Sequence, residues 1–346
     1  MKISRTRKQR VIVLVSDAYG GRGGIALYNR NFLKALCSFP SMEKVVAVPR
    51  SITYDLEEMP KKLSYITTAA GSKLKYLKGC VRQTLFGKRV DLIFCGHLHL
   101  LPFAFLLKLR HRCPVIPLIY GVEAWTPTSR WIVNRLCGKV SAFISIRKLT
   151  ARRFKSWAGI NQAEFFYLPN CIDERQYGVA PKREDLIERF GLQGKKVVMT
   201  AGRMDSIEFD RRKGFDEVLE VLPNLREQVP DIAYLIVGDG DDKERLARKA
   251  DELGVGDIVK FSGYVDDSEK ADYYRLADVF VMPGSNPIFD RYPFRFVFLE
   301  ALACGVPVVG CKLEDESEAN DADAKALIIQ VAPENKQSII NGILKG

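Results

Sequence analysis

The chain has 346 residues, more than one ordinary hydrophobic core holds, so two domains are expected. Hydrophobic residues at 47% and charged residues at 27% exclude a disordered tail protein, a collagen-like repeat and a polytopic membrane protein. The formal charge of +11 hides an asymmetry. Through Asn170, 29 Lys and Arg face 8 Asp and Glu, a net of +21, and from Cys171 onward 24 face 34, a net of −10. A half this basic is expected to meet a membrane surface, a nucleic acid or a phosphorylated substrate, unless the charge only solvates the surface.

Residues 11–15 are a continuous apolar, mostly β-branched run. Gly20, Gly21, Gly23 and Gly24 follow, and then Ile25, Leu27, Phe32, Leu33 and Leu36 at helical spacing. Strand, glycine loop and helix in this order open a doubly wound sheet. Further strands are predicted over 45–48, 90–94, 115–120 and 142–146, with helices over 102–109 and 130–136. Strands with little polar alternation, separated by helices, indicate a parallel sheet covered on both faces. The pattern restarts with a strand over 196–203 and a helix over 215–227. A strand over 233–237 ends at Gly238-Asp239-Gly240. A helix over 241–253 is stopped by Gly254, and strands follow over 258–261 and 278–282. A helix over 294–304 and a strand over 306–309 close the series. The predicted class is α/β, with two Rossmann-like doubly wound domains facing a central cleft. Pro169, Gly178 and Pro181 place the boundary in 168–182, giving domains of 1–175 and 176–346. Ligands of open α/β sheets bind beyond the carboxyl ends of the strands, so the cleft is the expected site.

The eight cysteines form no CxxC pair and no ligand-like spacing with the three histidines. Free thiols in a reducing cytoplasm are expected, without a structural zinc. The first ten residues are basic, but the apolar run after them is too short for a secretory signal. The longest lipophilic stretch, 99–109, contains Pro102 and falls far short of a membrane span.

A series of short motifs runs along residues 11–309: Gly23-Gly24-Ile25-Ala26, His97, Gly121-Val122-Glu123-Ala124-Trp125, Leu168-Pro169-Asn170-Cys171-Ile172-Asp173, Gly202-Arg203, Lys213-Gly214, Val237-Gly238-Asp239-Gly240, Phe261-Ser262-Gly263-Tyr264-Val265, and Phe298-Leu299-Glu300-Ala301 continuing to Val309. In order and spacing the series resembles the family 4 glycosyltransferases, retaining enzymes of the GT-B fold. The resemblance implies transfer of a sugar from a nucleotide-diphosphate sugar to an acceptor, without metal or other cofactor. No nucleic-acid recognition motif accompanies the charge, and no nucleic acid is expected as a partner.

Each piece has a chemical reading and a plainer one. Gly23 and Gly24 open the first helix, where bare N–H groups attract anions, or they only make a tight turn. The resemblance brings this loop to the donor diphosphate or the acceptor. Arg203 and Lys213 follow a strand end; fixed cations there stabilise charge on a departing diphosphate, whereas solvated cations do nothing. The resemblance favours the first. Glu300 sits in an apolar helix, where a carboxylate needs partners. Ribose hydroxyls are the partners implied by the resemblance, and a salt bridge to Arg291 or Arg295 is the alternative. His97 ends a strand, and the resemblance implies contact with the donor sugar near the reacting carbon, with a neutral imidazole accepting from a hydroxyl. Gly238 is assigned to the donor site, and Tyr264 and Val265 to backbone contacts with the nucleobase. Tyr120 stands where related enzymes often carry His, and Glu123 either reaches the acceptor or pairs with a local Arg.

The chain departs from the family at one loop. Tyr292 occupies the position of a second family Glu, Pro293 removes an N–H donor, and Arg295 stands where glycine is usual. Either the loop is rebuilt, with Arg291 or Arg295 serving phosphate and Asp290 replacing the carboxylate, or the donor site is impaired. Gly346 ends the chain where family members continue through a terminal helix that returns to the first domain. Lys61, Lys62, Lys73, Lys75, Lys78, Arg82, Lys88 and Arg89 mix with Tyr65, Leu74, Tyr76, Leu77 and Phe86, which suits an anionic membrane surface. The expected protein is a cytoplasmic, metal-independent transferase of the hexosyltransferase type, peripheral to the inner face of the membrane. Its acceptor is a glycan or a lipid-linked precursor of cell-surface polysaccharide. The alternative is a silent nucleotide-sugar-binding scaffold of the same fold.

Overall fold

The computed structural model describes residues 8–204, 213–284, 295–311 and 327–346. The chain divides into two compact units, Met1–Cys171 and Ile172–Gly346.

The first unit is built on strands β1 (Gln9–Val15), β2 (Met42–Pro49), β3 (Leu63–Tyr65), β4 (Leu92–Cys95), β5 (Val115–Ile119), β6 (Ala142–Ser145) and β7 (Glu164–Tyr167). They form one sheet in the order β3-β2-β1-β4-β5-β6-β7, every pair parallel. Helices α1 (Gly24–Ser38), α2 (Lys73–Phe86), α3 (Leu101–His111), α4 (Trp131–Cys137) and α5 (Lys148–Ala158) supply the connections. β1 lies inside the sheet, and Val13, Leu14 and Val15 are completely buried. α2 turns Tyr76, Gly79 and Cys80 inward, and Gly79 lets the helix approach Ala69, whose Cβ would lie 2.7 Å from an added methyl. Its outer side leaves Leu74 78% and Phe86 81% exposed, with Leu77 and Leu85 also exposed.

The second unit contains α6 (Glu184–Phe190), β8 (Lys196–Ala201), α7 (Phe215–Gln228), β9 (Ile232–Val237), α8 (Lys243–Glu252), β10 (Val259–Phe261), α9 (Lys270–Leu276), β11 (Val279–Met282), α10 (Phe296–Ala303), β12 (Val308–Cys311), β13 (Ile328–Val331) and α11 (Lys336–Lys345). The sheet order is β10-β9-β8-β11-β12-β13, again parallel. Side chains of successive strand residues point to opposite faces, so each strand feeds two cores. Val197, Met199, Leu235, Phe280 and Met282 join one, and Val198, Tyr234, Ile236, Val279 and Val281 join the other. Even the polar Thr200 is sealed: it accepts from the Tyr234 hydroxyl at 2.8 Å and donates to Val281 O at 2.6 Å.

α7 begins immediately after Lys213-Gly214, and a charge cluster fixes it. Arg245 grips Asp216 at 2.7 Å and Asp242 at 2.6 Å, Lys249 bridges Asp216 and Glu220, and Lys336 reaches Glu220 at 3.1 Å. The cluster joins α7, α8 and α11. Burial would raise the Asp216 carboxyl, but Arg245 and Lys249 outweigh it and hold it below the usual range.

All eight cysteines are free; Cys171 is exposed and Cys311 intermediate, and the others are buried. Burial pushes the Cys80, Cys95 and Cys137 thiols up to about 12. Among the described residues no helix is long and apolar enough to cross a membrane.

His111, at the carboxyl end of α3, is buried. Burial lowers its pKa first, and Arg110 and Arg89 lower it further. His97 and His99 are also lowered, first by burial. A histidine held below its ordinary value of 6.5 keeps its full stability contribution above that pH. Below it the unfolded chain takes up the proton first, so stability falls. Unfolding free energies from urea titrations should therefore fall as pH drops from 7.5 to 5.5, by at most about 1.4 kcal/mol per pH unit for each histidine. His111→Leu should flatten that slope; an unchanged slope would show that the buried ring does not set it.

Candidate functional site

In a parallel sheet every carboxyl end lies on the same edge, and the residues singled out in the sequence gather on two such edges, one in each unit. Beyond β1 the chain runs through Ser16 and Asp17 into the glycine loop. Gly23, with φ 92°, is the N-cap of α1 and Gly24 its first residue, and both are exposed. The loop is held from below by Arg30, which sequence reasoning missed. Its guanidinium is 4% exposed, donates to Ala18 O at 3.2 Å and Gly21 O at 2.8 Å, and pairs with Glu57. From above, Arg22 stacks on the Tyr54 ring, and Thr53 N and Tyr54 N both donate to Gly20 O.

His97 follows β4 and caps the short turn Leu98–Leu100. Its Nδ1 accepts the His99 backbone N–H at 3.1 Å, and burial followed by the Arg130 charge lowers its pKa. The ring is therefore neutral near pH 7, with its proton on Nε2. With Nδ1 engaged in this way, Nε2 is a hydrogen-bond donor. Thr128 and Asn134 fix the loop that carries Arg130, with Asn134 Oδ1 accepting from Thr128 N and Oγ1, and Asn134 Nδ2 donating to Thr128 O.

Tyr120 and Glu123 turn inward as supports. Glu123 Oε1 accepts Tyr120 N at 2.6 Å and Gly121 N at 3.1 Å, so this oxygen holds its own loop. The Tyr120 hydroxyl donates to Asn29 Oδ1 at 2.7 Å, and Asn29 Nδ2 donates to Asp17 O at 2.8 Å. One chain of bonds thus links the ends of β5 and β1 through α1. Asn29 gave no sequence signal beyond a polar residue on a helix face that should be apolar. Tyr120→Phe should leave the buried Asn29 oxygen unpaired and cost about 1–3 kcal/mol. A thermal melt measures this, and a change below about 0.5 kcal/mol would refute the supporting role.

On the edge of the second unit, Gly202 and Arg203 follow β8. The Lys213 ammonium lies over Gly202: a Cβ at that glycine would sit 2.9 Å from Nζ. Arg203 is exposed and Lys213 partly so. Gly238, after β9, has φ +136°, and a Cβ there would lie 2.0 Å from Gly202 O, so only glycine fits. Gly214 has φ +80° and passes 2.5 Å from Gly284 N by the same measure. The approach of Lys213 to Gly202 brings the Arg203 and Lys213 turns together. Tyr264 is half-exposed beyond β10, and Val265 is buried in the core. Arg295 caps α10, donates to Met282 Sδ at 3.3 Å and lies over the Phe298 ring.

Glu300 is 2% exposed on α10. Its Oε1 accepts from the Tyr177 hydroxyl at 3.0 Å and its Oε2 from the Tyr274 hydroxyl at 2.6 Å. Neither tyrosine was singled out in the sequence. Burial and the Glu300 charge push both phenols far up, so they remain donors. Nearby, burial would lower Lys270, but Glu300 and Asp267 raise it and keep its ammonium charged. Two phenols thus partner Glu300 among the described residues, and Arg291, one of the two salt-bridge partners weighed for it, lies outside them. So do Asp290, Tyr292, Pro293 and Phe294 of the departing loop. Among the described residues no group of three His, Cys, Asp or Glu side chains is placed to hold a metal ion.

Comparisons with known proteins bear on the family and the fold. The sequence profile of the family described as "Glycosyl transferases group 1" matches residues 182–345. The GDP-mannose-dependent alpha-(1-6)-phosphatidylinositol monomannoside mannosyltransferase of Mycolicibacterium smegmatis is 34% identical over 321 residues, 86% of this chain and 79% of that protein. The GDP-mannose-dependent monoacylated alpha-(1-6)-phosphatidylinositol monomannoside mannosyltransferase of Corynebacterium glutamicum is 26% identical over 320 residues, 87% of this chain and 80% of that one. Among solved structures, sucrose-phosphate synthase of Thermosynechococcus elongatus superposes with a TM-score of 0.73 at 19% identity, covering 98% of this chain and 89% of that one. Anabaena HepE in complex with UDP gives 0.72 at 18%, covering 97% and 89%. The fold of these neighbours and the relation to the mannosyltransferases lead to one conclusion: the chain belongs to the group 1 glycosyl transferases and is a glycosyltransferase of the GT-B fold class.

Proposed function

We propose that the chain transfers mannose from GDP-mannose, with retention of configuration, to a hydroxyl of a phosphatidylinositol-mannoside-type lipid at an anionic membrane surface. The observation that carries this reading is the 34% identity to the GDP-mannose-dependent enzyme over 86% of the chain. In this reading Arg203 and Lys213 neutralise the diphosphate as the sugar leaves, and no metal takes part. Preorganised cations supply such stabilisation without reorganisation at the moment of reaction. The donor also meets Gly23, Gly24, Gly238, Arg295 and the backbone at Tyr264 and Val265, and Glu300 takes the ribose. His97 Nε2 donates to a hydroxyl of the transferred sugar. Tyr120 and Glu123 shape the acceptor side from behind, through the loops they hold. The acceptor hydroxyl attacks from the face that the diphosphate leaves.

The membrane part of the proposal is supported by α2. Leu74, Leu77, Leu85 and Phe86 are exposed beside Lys73, Lys75, Lys78 and Arg82, an apolar surface bordered by cations. Such a helix binds anionic lipid by apolar burial and by charge, each basic residue contributing about 1 kcal/mol near the surface. In this reading the protein works at the cytoplasmic face of the membrane, where anionic lipid meets the basic surface.

Nucleotide release from GDP-mannose, UDP-glucose and UDP-galactose, with and without phosphatidylinositol mannoside in vesicles, tests the donor and acceptor together. GDP-mannose with the lipid should turn over fastest, and the product should carry an α-linkage by NMR. Preference for a uridine donor would overturn the donor assignment, and a β-linked product would overturn retention. Lys213→Ala and Arg203→Ala should each lower kcat by about a hundredfold or more. Gly202→Ala should displace the Lys213 ammonium and lower kcat at least about tenfold while leaving the melting temperature nearly unchanged. Equal kcat in all three variants would remove these cations from the mechanism.

Sedimentation with phosphatidylglycerol vesicles tests the surface. Binding should weaken with salt, be absent on phosphatidylcholine, and fall at least about tenfold in a Leu74→Ser, Phe86→Ser double variant. Undiminished binding of that variant would move the membrane contact elsewhere.

A further inference from the structure

We propose that Tyr177 and Tyr274 are positioning residues for the nucleotide ribose, their two hydroxyls forming a cradle that fixes the Glu300 carboxylate in the orientation that receives the sugar hydroxyls. This rests on the reading of Glu300 as the ribose ligand.

A glutamate side chain has three rotatable bonds, and a carboxylate that accepts from a ligand must first be held still. Glu300 is held at two points, one on each oxygen, by phenols from different parts of the unit. Tyr274 comes from α9 and is almost completely buried, with its ring against Phe280. Tyr177 comes from the first residues of the unit, which are themselves fixed. Gln176 Nε2 donates to Asp267 O, and Arg275 Nε donates to Gly178 O at 2.9 Å. Both hydroxyls are thus carried on rigid supports.

Each oxygen has a further lone pair beyond the one that accepts from a phenol. A carboxylate therefore takes two phenols and still accepts from hydroxyl groups of a ligand. A phenol suits this task better than a guanidinium or ammonium. It satisfies one lone pair and orients the group without forming a competing ion pair. Lys270 supplies the balancing positive charge without an ion pair to Glu300, since its ammonium bridges to Asp267.

The test measures binding of GDP and of 2′,3′-dideoxy-GDP to the full chain by titration calorimetry, for the native protein and for Tyr177→Phe, Tyr274→Phe and Glu300→Ala. Phenylalanine keeps the ring packing and removes only the hydroxyl. The native protein should prefer GDP, and Glu300→Ala should abolish the preference. Each Tyr→Phe variant should weaken GDP binding by about three- to tenfold and leave dideoxy-GDP binding unchanged. A purely structural role would weaken both ligands equally, and that result overturns the proposal, as does an unchanged preference in both Phe variants. If Tyr274→Phe does not fold, Tyr177→Phe, at the margin of the core, decides alone. A preference for GDP that survives Glu300→Ala removes the carboxylate from the ribose site, and the cradle falls with it. Loss of the preference in Glu300→Ala, with the preference intact in both Phe variants, leaves the ribose assignment standing and overturns the cradle only.

Discussion

The structure depends on one constraint: both faces of each parallel sheet are covered, so a strand can present polar groups to a ligand only where it ends. In the second unit this is visible residue by residue. Val197, Met199 and Ala201 face one core and Val198 the other, and Thr200 spends its hydroxyl within the sheet. The first exposed side chain beyond the end of β8 is that of Arg203. Its counterpart beyond β4 in the first unit is His97, which is partly exposed. Side chains open to a ligand sit at strand ends because the covered faces have no room for one.

A second layer of residues gives those ends their shape. Arg30 holds the glycine loop by two carbonyls, the Tyr120–Asn29–Asp17 series joins strand ends, and the Asp216 cluster fixes the helix that starts at Lys213. None of these groups needs to touch a substrate to matter. Each restricts where a neighbouring loop can lie, and a shift of an ångström at a reacting centre is enough to cost a large factor in rate.

The sequence made the layout legible where burial writes itself into composition. The apolar runs at 11–15, 196–201 and 233–237 have no other reading than strands covered twice, and the glycines at 202, 214 and 238 mark close approaches of backbone. Edge strands β3, β7 and β13 were not predicted, because three or four residues give no period. The supports were harder still. Tyr177 and Tyr274 are distant in sequence from Glu300, and a phenol beside apolar residues looks like core packing until its hydroxyl is given a partner. The direction of the His97 proton was likewise hidden, since it depends on a backbone N–H two residues later. The motifs thus nominated candidate residues, and the geometry shows how those that are described are held.

Cysteine chemistry follows from the same burial. Cys80, Cys95 and Cys137 hold thiols that scarcely ionise near neutrality, and nucleophilic attack on an alkylating reagent requires the thiolate. Cys171 is exposed, although partial burial raises its thiol as well, and it is the last residue of the first unit. A maleimide fluorophore should therefore attach there, at the end of the first unit's segment of chain, well before it reaches the buried thiols. Cys311 is of intermediate exposure, so replacing that one thiol leaves Cys171 as the accessible attachment point for an optical reporter.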